Sequence, residues 1–231
     1  MTLQLPALVI DADARIADAV FASLRRAIVR HELAPNFHLS VPAIAAHLGT
    51  SRSPVHEAVK RLVQEGLATE LPRRGAFVTS YSPPALIPLY ELRVALEGFA
   101  AGLAAERAGM YAIAQMRKVL VTEADAIRRD DLERHIEADM EFHRLVLAAA
   151  GNPVLEEMAE SLYRRIRSAM VSRIVPTGPR QALEDHTTVF KAIERRDAAG
   201  ATQAAKAHVM RVYGRLLAEG RSEALMGQAS P

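Results

Sequence analysis

Apolar residues in the first third of the chain recur first at helical spacing and then in short extended runs. Val20, Leu24 and Ile28 fall on one helical face, while the basic residues between them fall elsewhere. Serine, proline and glycine mark the ends of the elements, because they favour helix caps and turns. In chain order the pattern predicts a helix over residues 14–30, a short helix from Ser40 to Gly49, a helix from Ser51 or Ser53 to Gly66, and extended runs at Leu67–Leu71 and Ala76–Thr79.

The rest of the chain shows no strand pattern. Ser82-Pro83-Pro84 interrupts the periodicity and predicts a domain boundary. Beyond it the sequence is rich in Ala, Leu, Glu and Arg, which favour helices, and short breakers divide it. One such joint is Pro176–Pro179. We expect helices at about 85–108, 111–129, 131–150, 153–173, 180–197 and 198–218.

The order of the elements predicts a mainly α protein with two domains. A helix, a short helix, a tight turn, a helix and a hairpin form a winged helix-turn-helix, expected at residues 10–80. Six amphipathic helices with short joints form an all-α antiparallel helical bundle, expected at residues 85–220.

Composition and charge narrow the possible functions. The chain has no cysteine, which excludes disulfides and thiolate metal sites and fits a reducing cytoplasm. No run approaches 18 apolar residues, so we expect a cytoplasmic protein without a membrane partner. Residues 21–80 hold eight Lys and Arg against four Asp and Glu, a net charge of +4. Such a local positive field suits a polyanion such as DNA, although a solvated surface gives the same count.

Basic and hydroxyl side chains lie at the two places where a winged helix meets DNA. Ser51, Arg52 and Ser53 begin the expected recognition helix, where backbone amides favour phosphate and arginine can reach guanine. Arg73 and the next residue, Arg74, precede Gly75 in the expected wing, where glycine permits close backbone approach. Arg25 and Arg26 are expected on a solvated helix face.

Acidic and imidazole side chains in the second half could converge on a metal. Asp139 and His143 are four residues apart on one helix and share a face, while His186 and His208 come from two later helices. Three helices of one bundle could bring these four groups together, in a donor set that suits Zn, Ni, Mn, Fe or Co. By itself, a pair with the spacing of Asp139 and His143 more often forms a plain hydrogen bond or lies on an exposed surface.

The first domain resembles the winged-helix signature of the GntR family of bacterial transcription regulators. The resemblance lies in residues 39–78, in the stretches LG-x-SR-x-PV-x-EA, RL-x-x-EGL and P-x-RG-x-x-V. It implies a homodimer on palindromic double-stranded DNA. His38 and His56 stand where the family commonly has arginine, and His56 cannot make the forked contact of arginine to guanine. The DNA-binding candidates are His38, Ser51, Arg52, Ser53, His56, Arg73, Arg74 and Gly75.

Residues 85–220 resemble the FCD ligand-binding domain that follows the winged helix in one large GntR subgroup. The segments that carry this resemblance are LYELRVALEGFAAGLAAERAG at 89–109, D-x-x-FH at 139–143, EDHTTVFKAIERRD at 184–197 and AAKAHV at 204–209. The resemblance implies one divalent transition metal per chain, with open positions for a small carboxylic acid. The ligands it implies are Asp139, His143, His186 and His208.

For four further residues of the bundle the sequence predicts a role or an environment. Arg93 is our first candidate to orient a carboxylate effector, and Arg167 is the second, since arginine makes forked contacts to carboxylates. We expect His135 to be exposed. We expect Asn152 to cap the helix that follows it.

The sequence therefore predicts a transcription regulator, by analogy a repressor, whose operator affinity a small organic acid controls at the metal site. One alternative is a metal-dependent enzyme that uses the Asp/His₃ site. No base, nucleophile or cofactor motif supports it, so we expect no enzyme activity. The other alternative is a regulator whose metal only stabilises the fold.

Overall fold

The computed structural model describes residues 15–171 and 178–228. The predicted domain start at residue 10, the predicted helix start at residue 14, the end of the predicted helix 153–173 and part of the joint Pro176–Pro179 lie outside the described residues. The chain divides into two compact units, one up to Tyr81 and one from Ser82 onward.

The first unit is a winged helix-turn-helix, as predicted. Its antiparallel hairpin pairs Ala68 with Val78, and the short helix ends at Gly49, whose φ of 63° is the left-handed conformation that glycine adopts readily. The core is formed by apolar side chains from every element, among them Leu24, Ile44 and Leu62, each fully buried. The elements are α1 (Ile16–Val29), α2 (Val41–Leu48), α3 (Arg52–Gln64), β1 (Ala68–Leu71) and β2 (Gly75–Val78).

The second unit is a bundle of helices, also as predicted. Small residues let two of its helices, α4 and α9, lie close together: a Cβ at Gly102 of α4 would lie 2.6 Å from Thr202 Oγ1 of α9. Buried alanines line the same seam, among them Ala101, Ala105 and Ala201. The helices are α4 (Pro83–Arg107), α5 (Met110–Arg128), α6 (Leu132–Ala149), α7 (Pro153–Val171), α8 (Pro179–Glu194) and α9 (Ala198–Gln228).

Most described ends of these helices lie within two residues of the predicted ones, and α8 ends at Glu194, three residues before the predicted end at residue 197. Asn152 caps α7 as expected, because its Oδ1 accepts a hydrogen bond from the Leu155 backbone N–H at 3.2 Å. Helix α9 continues to Gln228, ten residues beyond the predicted end at residue 218. Gly220 does not stop it, since a glycine inside a helix costs only about 1 kcal/mol. Among the described helices, none combines the length and the apolar composition that crossing a membrane requires.

Candidate DNA-binding and metal sites

The N-terminus of α3 presents four of the eight predicted DNA-binding residues to solvent. Ser51 is the N-cap residue of α3, and its side chain makes no capping hydrogen bond. Arg52 and Ser53 begin the helix, and His56 follows one turn later; all four are exposed. The first-turn amides, the helix dipole and a guanidinium therefore lie together on a face that an anionic backbone can reach.

The other four predicted residues lie at the wing. Arg73 (φ 62°) lies in the turn between the two strands, Gly75 (φ 88°) begins β2, and the guanidinium of Arg74 lies 5.7 Å from the centre of the Phe77 ring. The imidazole of His38 stacks on the ring of Phe77, with the two ring centres 4.8 Å apart. A Cβ at position 75 would lie 3.0 Å from His38 Nε2, so the close packing of wing and histidine needs glycine there.

The bundle brings together the four predicted metal ligands. Asp139 and His143 come from α6, His186 from α8 and His208 from α9, and all four are buried. The donor nitrogens of the three histidines lie within 4.8 Å of one another. The carboxylate of Asp139 faces two of them, with Oδ1 3.7 Å from His186 Nε2 and Oδ2 3.9 Å from His143 Nε2.

Each of the three imidazoles also has a carboxylate beside its Nδ1. A carboxylate that accepts the Nδ1 hydrogen leaves the lone pair of Nε2 free, which is how histidine ligands are commonly oriented toward a metal. The sequence analysis missed these carboxylates, because two of them come from α4 and α5, far from the histidines along the chain. The pairs are Glu97 Oε2 with His143 Nδ1 at 3.1 Å, Glu123 Oε2 with His186 Nδ1 at 3.0 Å, and Asp185 Oδ2 with His208 Nδ1 at 3.3 Å.

The electrostatics of the cluster keep the imidazoles neutral. Burial lowers the pKa of His186 to about 3 and lowers the pKa values of His143 and His208 below the ordinary value. Burial alone would raise the pKa of Asp139, but the neighbouring His186, His143 and Arg93 lower it below its ordinary value. At neutral pH the three imidazoles are thus neutral and Asp139 is ionised, and the group at each Nδ1 decides whether Nε2 is free to bind a metal.

Two orphaned atoms show that these residues fit a metal ion. His186 Nε2 and Asp139 Oδ2 are buried, and neither has a hydrogen-bond partner among the described residues. A buried polar atom without a partner costs about 1–3 kcal/mol. A divalent cation bound between them would satisfy both atoms, and the donor set of one carboxylate and three imidazoles suits a transition metal.

Arg93 lies inside this cluster. Its guanidinium is buried, its Nε donates to Glu97, and its Nη1 lies 3.4 Å from the Tyr90 hydroxyl. Its Nη2 lies 2.7 Å from His143 Nε2, on the side of the ring that would face a metal. Arg167, the second effector candidate, instead lines a separate surface pocket between α6 and α7, so the structure does not bring it to the cluster.

A small cavity adjoins the cluster on the side of α9. Its volume is about 20 Å³, and Arg93, Asp139 and His208 line it together with Arg211 and Arg215. Arg211 makes a forked contact to Asp185, with both N–O distances at 2.9 Å. The sequence analysis missed Arg211 and Arg215, although each follows His208 at helical spacing along α9.

His135 corrects an expectation, because it is buried and not exposed. Only 2% of its surface is exposed, and its Nδ1 lies 3.6 Å from Glu123 Oε1. His135 shares the helical face of Asp139, and α5 covers that face. His135 and Asp139 are therefore both buried.

Comparison with known proteins agrees with both units. The family model described as bacterial regulatory proteins, gntR family, matches residues 16–78, and the FCD domain model matches residues 88–211. An uncharacterized HTH-type transcriptional regulator of Agrobacterium vitis is 36% identical over 136 residues, which are 58% of this chain and 80% of that protein. The HTH-type transcriptional repressor RspR of Escherichia coli K12 is 28% identical over 196 residues, 84% of this chain and 85% of that protein.

Solved structures show the same fold. Escherichia coli McbR/YncC superposes with a TM-score of 0.67 at 22% identity, over 89% of this chain and 99% of that chain. The matched families are transcription regulators and not enzymes, which excludes the enzyme alternative. The chain therefore belongs to the GntR family of bacterial transcription regulators, in the subgroup that carries an FCD domain.

Proposed function

We propose that this chain is a repressor whose affinity for a palindromic operator is controlled by a small carboxylic acid bound at a metal centre in the bundle. The ligands are Asp139, His143, His186 and His208, and the ion is Zn, Ni, Mn, Fe or Co. The observation that carries the proposal is the set of three buried imidazoles, each with a carboxylate at Nδ1 and its other nitrogen facing the cluster. When bound, the ion supplies a positive centre for an anionic oxygen.

Arg93 favours a carboxylate as the effector. Its Nη2 lies beside His143 Nε2, so an ion on that nitrogen and the guanidinium would repel each other. An anionic oxygen between the two positive groups removes this repulsion, and a carboxylate can accept a forked contact from arginine. Arg211 and Arg215 add positive charge around the adjoining cavity. Arg93 therefore orients the effector, with the α9 arginines near its far end.

The size of the cavity implies that effector binding changes the packing of the bundle. About 20 Å³ holds one water molecule, whereas pockets for small organic ligands are typically about 300 Å³ or more. The effector therefore binds a more open arrangement of the helices than the one described. Differential affinity for the two arrangements is the free energy available to change DNA binding.

The DNA side of the proposal uses the exposed residues of α3 and the wing. A homodimer places two copies of α3 in successive major grooves, which requires a palindromic operator. Arg52 contacts base edges or phosphate from the helix N-terminus, and Arg73 and Arg74 contact the backbone or the minor groove. Repression is the mode we propose, because the similar protein RspR is named as a repressor.

The test joins metal, effector and operator in one assay. The full-length protein is stripped with a chelator, reloaded with Zn²⁺, Ni²⁺ or Mn²⁺, and screened by thermal shift against small carboxylic acids. Binding to DNA from upstream of its own gene is then followed by fluorescence anisotropy, with and without the acid that raises the Tm most.

We expect that acid to change operator affinity in the metal-loaded wild type and in a His47→Leu control, which alters an exposed histidine of the first unit. The acid should have no effect in His186→Ala. An equal response from the stripped protein or from His186→Ala would overturn the proposal. Metal removal that lowers the Tm without altering effector affinity would favour a purely structural ion.

A further inference from the structure

A second group of buried donors lies beside the four proposed ligands. Glu123 of α5 and His135 and Asp139 of α6 bring donor atoms within 4.8 Å of one another. Their exposed fractions are 0%, 2% and 3%. Of these three residues, only Asp139 is a metal ligand in the proposed function. Glu123 acts there through Oε2, which orients His186.

This group contains several polar atoms without partners. Glu123 Oε1 and both ring nitrogens of His135 are buried with no hydrogen-bond partner among the described residues. The shortest approach, 3.6 Å between His135 Nδ1 and Glu123 Oε1, is too long for a hydrogen bond. A folded core rarely leaves three such atoms side by side, because each costs about 1–3 kcal/mol. The arrangement therefore indicates a missing partner that several donors share.

We propose that Glu123, His135 and Asp139 form a second divalent-cation site, next to the first and joined to it by Asp139. Glu123 contributes Oε1 and keeps Oε2 on His186 Nδ1, so one carboxylate serves both sites. Asp139 lies within reach of both donor groups and acts as the bridging carboxylate. One nitrogen and two carboxylates suit Mn, Fe, Co or Zn.

A surface pocket adjoins this second site. It has a volume of about 590 Å³, and the described residues that line it include His135, three acidic side chains (Asp130, Asp131 and Glu184) and one arginine, Arg180. Three acidic side chains against one arginine raise the local concentration of cations. This pocket thus extends to the ring of His135, whose two nitrogens are themselves buried.

Metal stoichiometry of the full-length protein tests this inference. Protein is equilibrated by dialysis with Mn²⁺ and its metal content is measured by mass spectrometry. We expect two ions per chain in the wild type and in His47→Leu, and one in His135→Leu. Circular dichroism checks that His135→Leu is folded, and His135→Gln, which keeps a polar side chain, should also lose one ion.

Electron paramagnetic resonance of the same samples provides a second readout, which the wild type alone can decide. Two Mn²⁺ ions that share a carboxylate are exchange-coupled, so the loaded wild type should show a coupled spectrum, and His135→Leu should show that of an isolated ion. An isolated-ion spectrum in the wild type at saturation would overturn the second site.

The outcomes separate this inference from the proposed function, with which it shares Asp139. One ion in the wild type, kept in His135→Leu and lost in His208→Leu, overturns the second site and leaves the proposed function intact. One ion lost in His135→Leu and kept in His208→Leu supports the second site and overturns the first. A wild type that binds no metal overturns both.

Discussion

The surroundings of Glu123 favour its protonated form, so we expect metal binding at the first site to depend on pH. The side chain is fully buried, and burial, together with the negative charge of Asp139, raises its pKa to about 8. A protonated Glu123 that donates to His186 Nδ1 leaves the ring hydrogen of His186 on Nε2, which then cannot bind a metal. Loss of the proton from Glu123 moves the ring hydrogen to Nδ1 and frees Nε2. We therefore expect metal affinity to rise with pH up to about 8.

The size of this effect follows from the pKa. At pH 7, about one unit below the pKa of Glu123, ionising the carboxyl costs about 1.4 kcal/mol, which weakens apparent metal affinity about tenfold relative to alkaline pH. Each further unit of acidification weakens it about tenfold again. The imidazoles add little to this slope above pH 6.5, because burial lowers their pKa values, in the case of His186 to about 3.

Calorimetry at pH 7 in two buffers of different ionisation enthalpy counts the protons released with the first equivalent of metal. We expect about 0.9 proton per ion in the wild type, from a pKa one unit above the pH. Glu123→Gln has no proton to lose, and its amide oxygen can accept from His186 Nδ1, so proton release should fall to near zero.

Glu97→Gln is the matched control for this measurement. Glu97 occupies the equivalent place at His143 Nδ1, but its pKa lies well below the ordinary value, because Arg93 and His143 outweigh the opposing effect of burial. Glu97 is thus already ionised, and its variant should keep the full proton release. A wild-type affinity that stays constant between pH 6.5 and 8.5, or proton release that survives in Glu123→Gln, would refute the reasoning.

Three substitutions test other parts of the molecule. Arg52→Ala should weaken operator binding by about 1–3 kcal/mol in fluorescence anisotropy. Lys118→Ala, an exposed change in the other unit, should leave operator affinity unchanged. Equal losses in the two variants would show that Arg52 does not contact DNA. Leu62→Ala should lower the free energy of unfolding by about 2–5 kcal/mol in urea denaturation, since Leu62 is fully buried, and a loss below 1 kcal/mol would contradict its place in the core. Asn152→Ala removes the cap of α7 and should cost about 1 kcal/mol in the same assay, whereas Asn152→Asp, which retains a capping oxygen, should stay near wild type.

The winged helix was predictable because its signals are local. Gly49 and Gly66 take the positive φ angles that end helices, and Ser51 stands at a helix start, so the boundaries of α2 and α3 follow from neighbouring residues. The six bundle helices were found for the same reason. The end of α9 was misplaced by ten residues, where the pattern fades without a strong stop signal, and the described end of α8 lies three residues before the predicted one.

The surroundings of the metal ligands were not predictable because they depend on which helices are neighbours. Helical spacing places His135 and Asp139 on one face of α6, but it does not show that α5 covers that face. Arg93 was the first and Arg167 the second effector candidate in sequence, and packing separates them, with Arg93 inside the cluster and Arg167 in an outer pocket. Glu123 lies in no quoted motif, and Glu97 lies in the FCD-like segment 89–109, where the sequence predicts no role for it. The contacts of both carboxylates appear only when α4 and α5 pack against the histidines.

These carboxylates also suggest how an effector signal crosses the bundle. The Glu97–His143 contact joins α4 to α6, and the Glu123–His186 contact joins α5 to α8. His143 and His186, two of the proposed metal ligands, thus each contact a carboxylate of another helix through a buried charge-assisted hydrogen bond. In the proposed function Arg93 would place the effector against α4, the helix that directly follows the DNA-binding unit in sequence. We therefore expect Glu97→Gln to bind metal and effector yet weaken the effect of the acid on operator affinity, whereas Glu160→Gln, an exposed change on α7, should leave that coupling unchanged. Full coupling in Glu97→Gln would show that the signal does not pass through this contact.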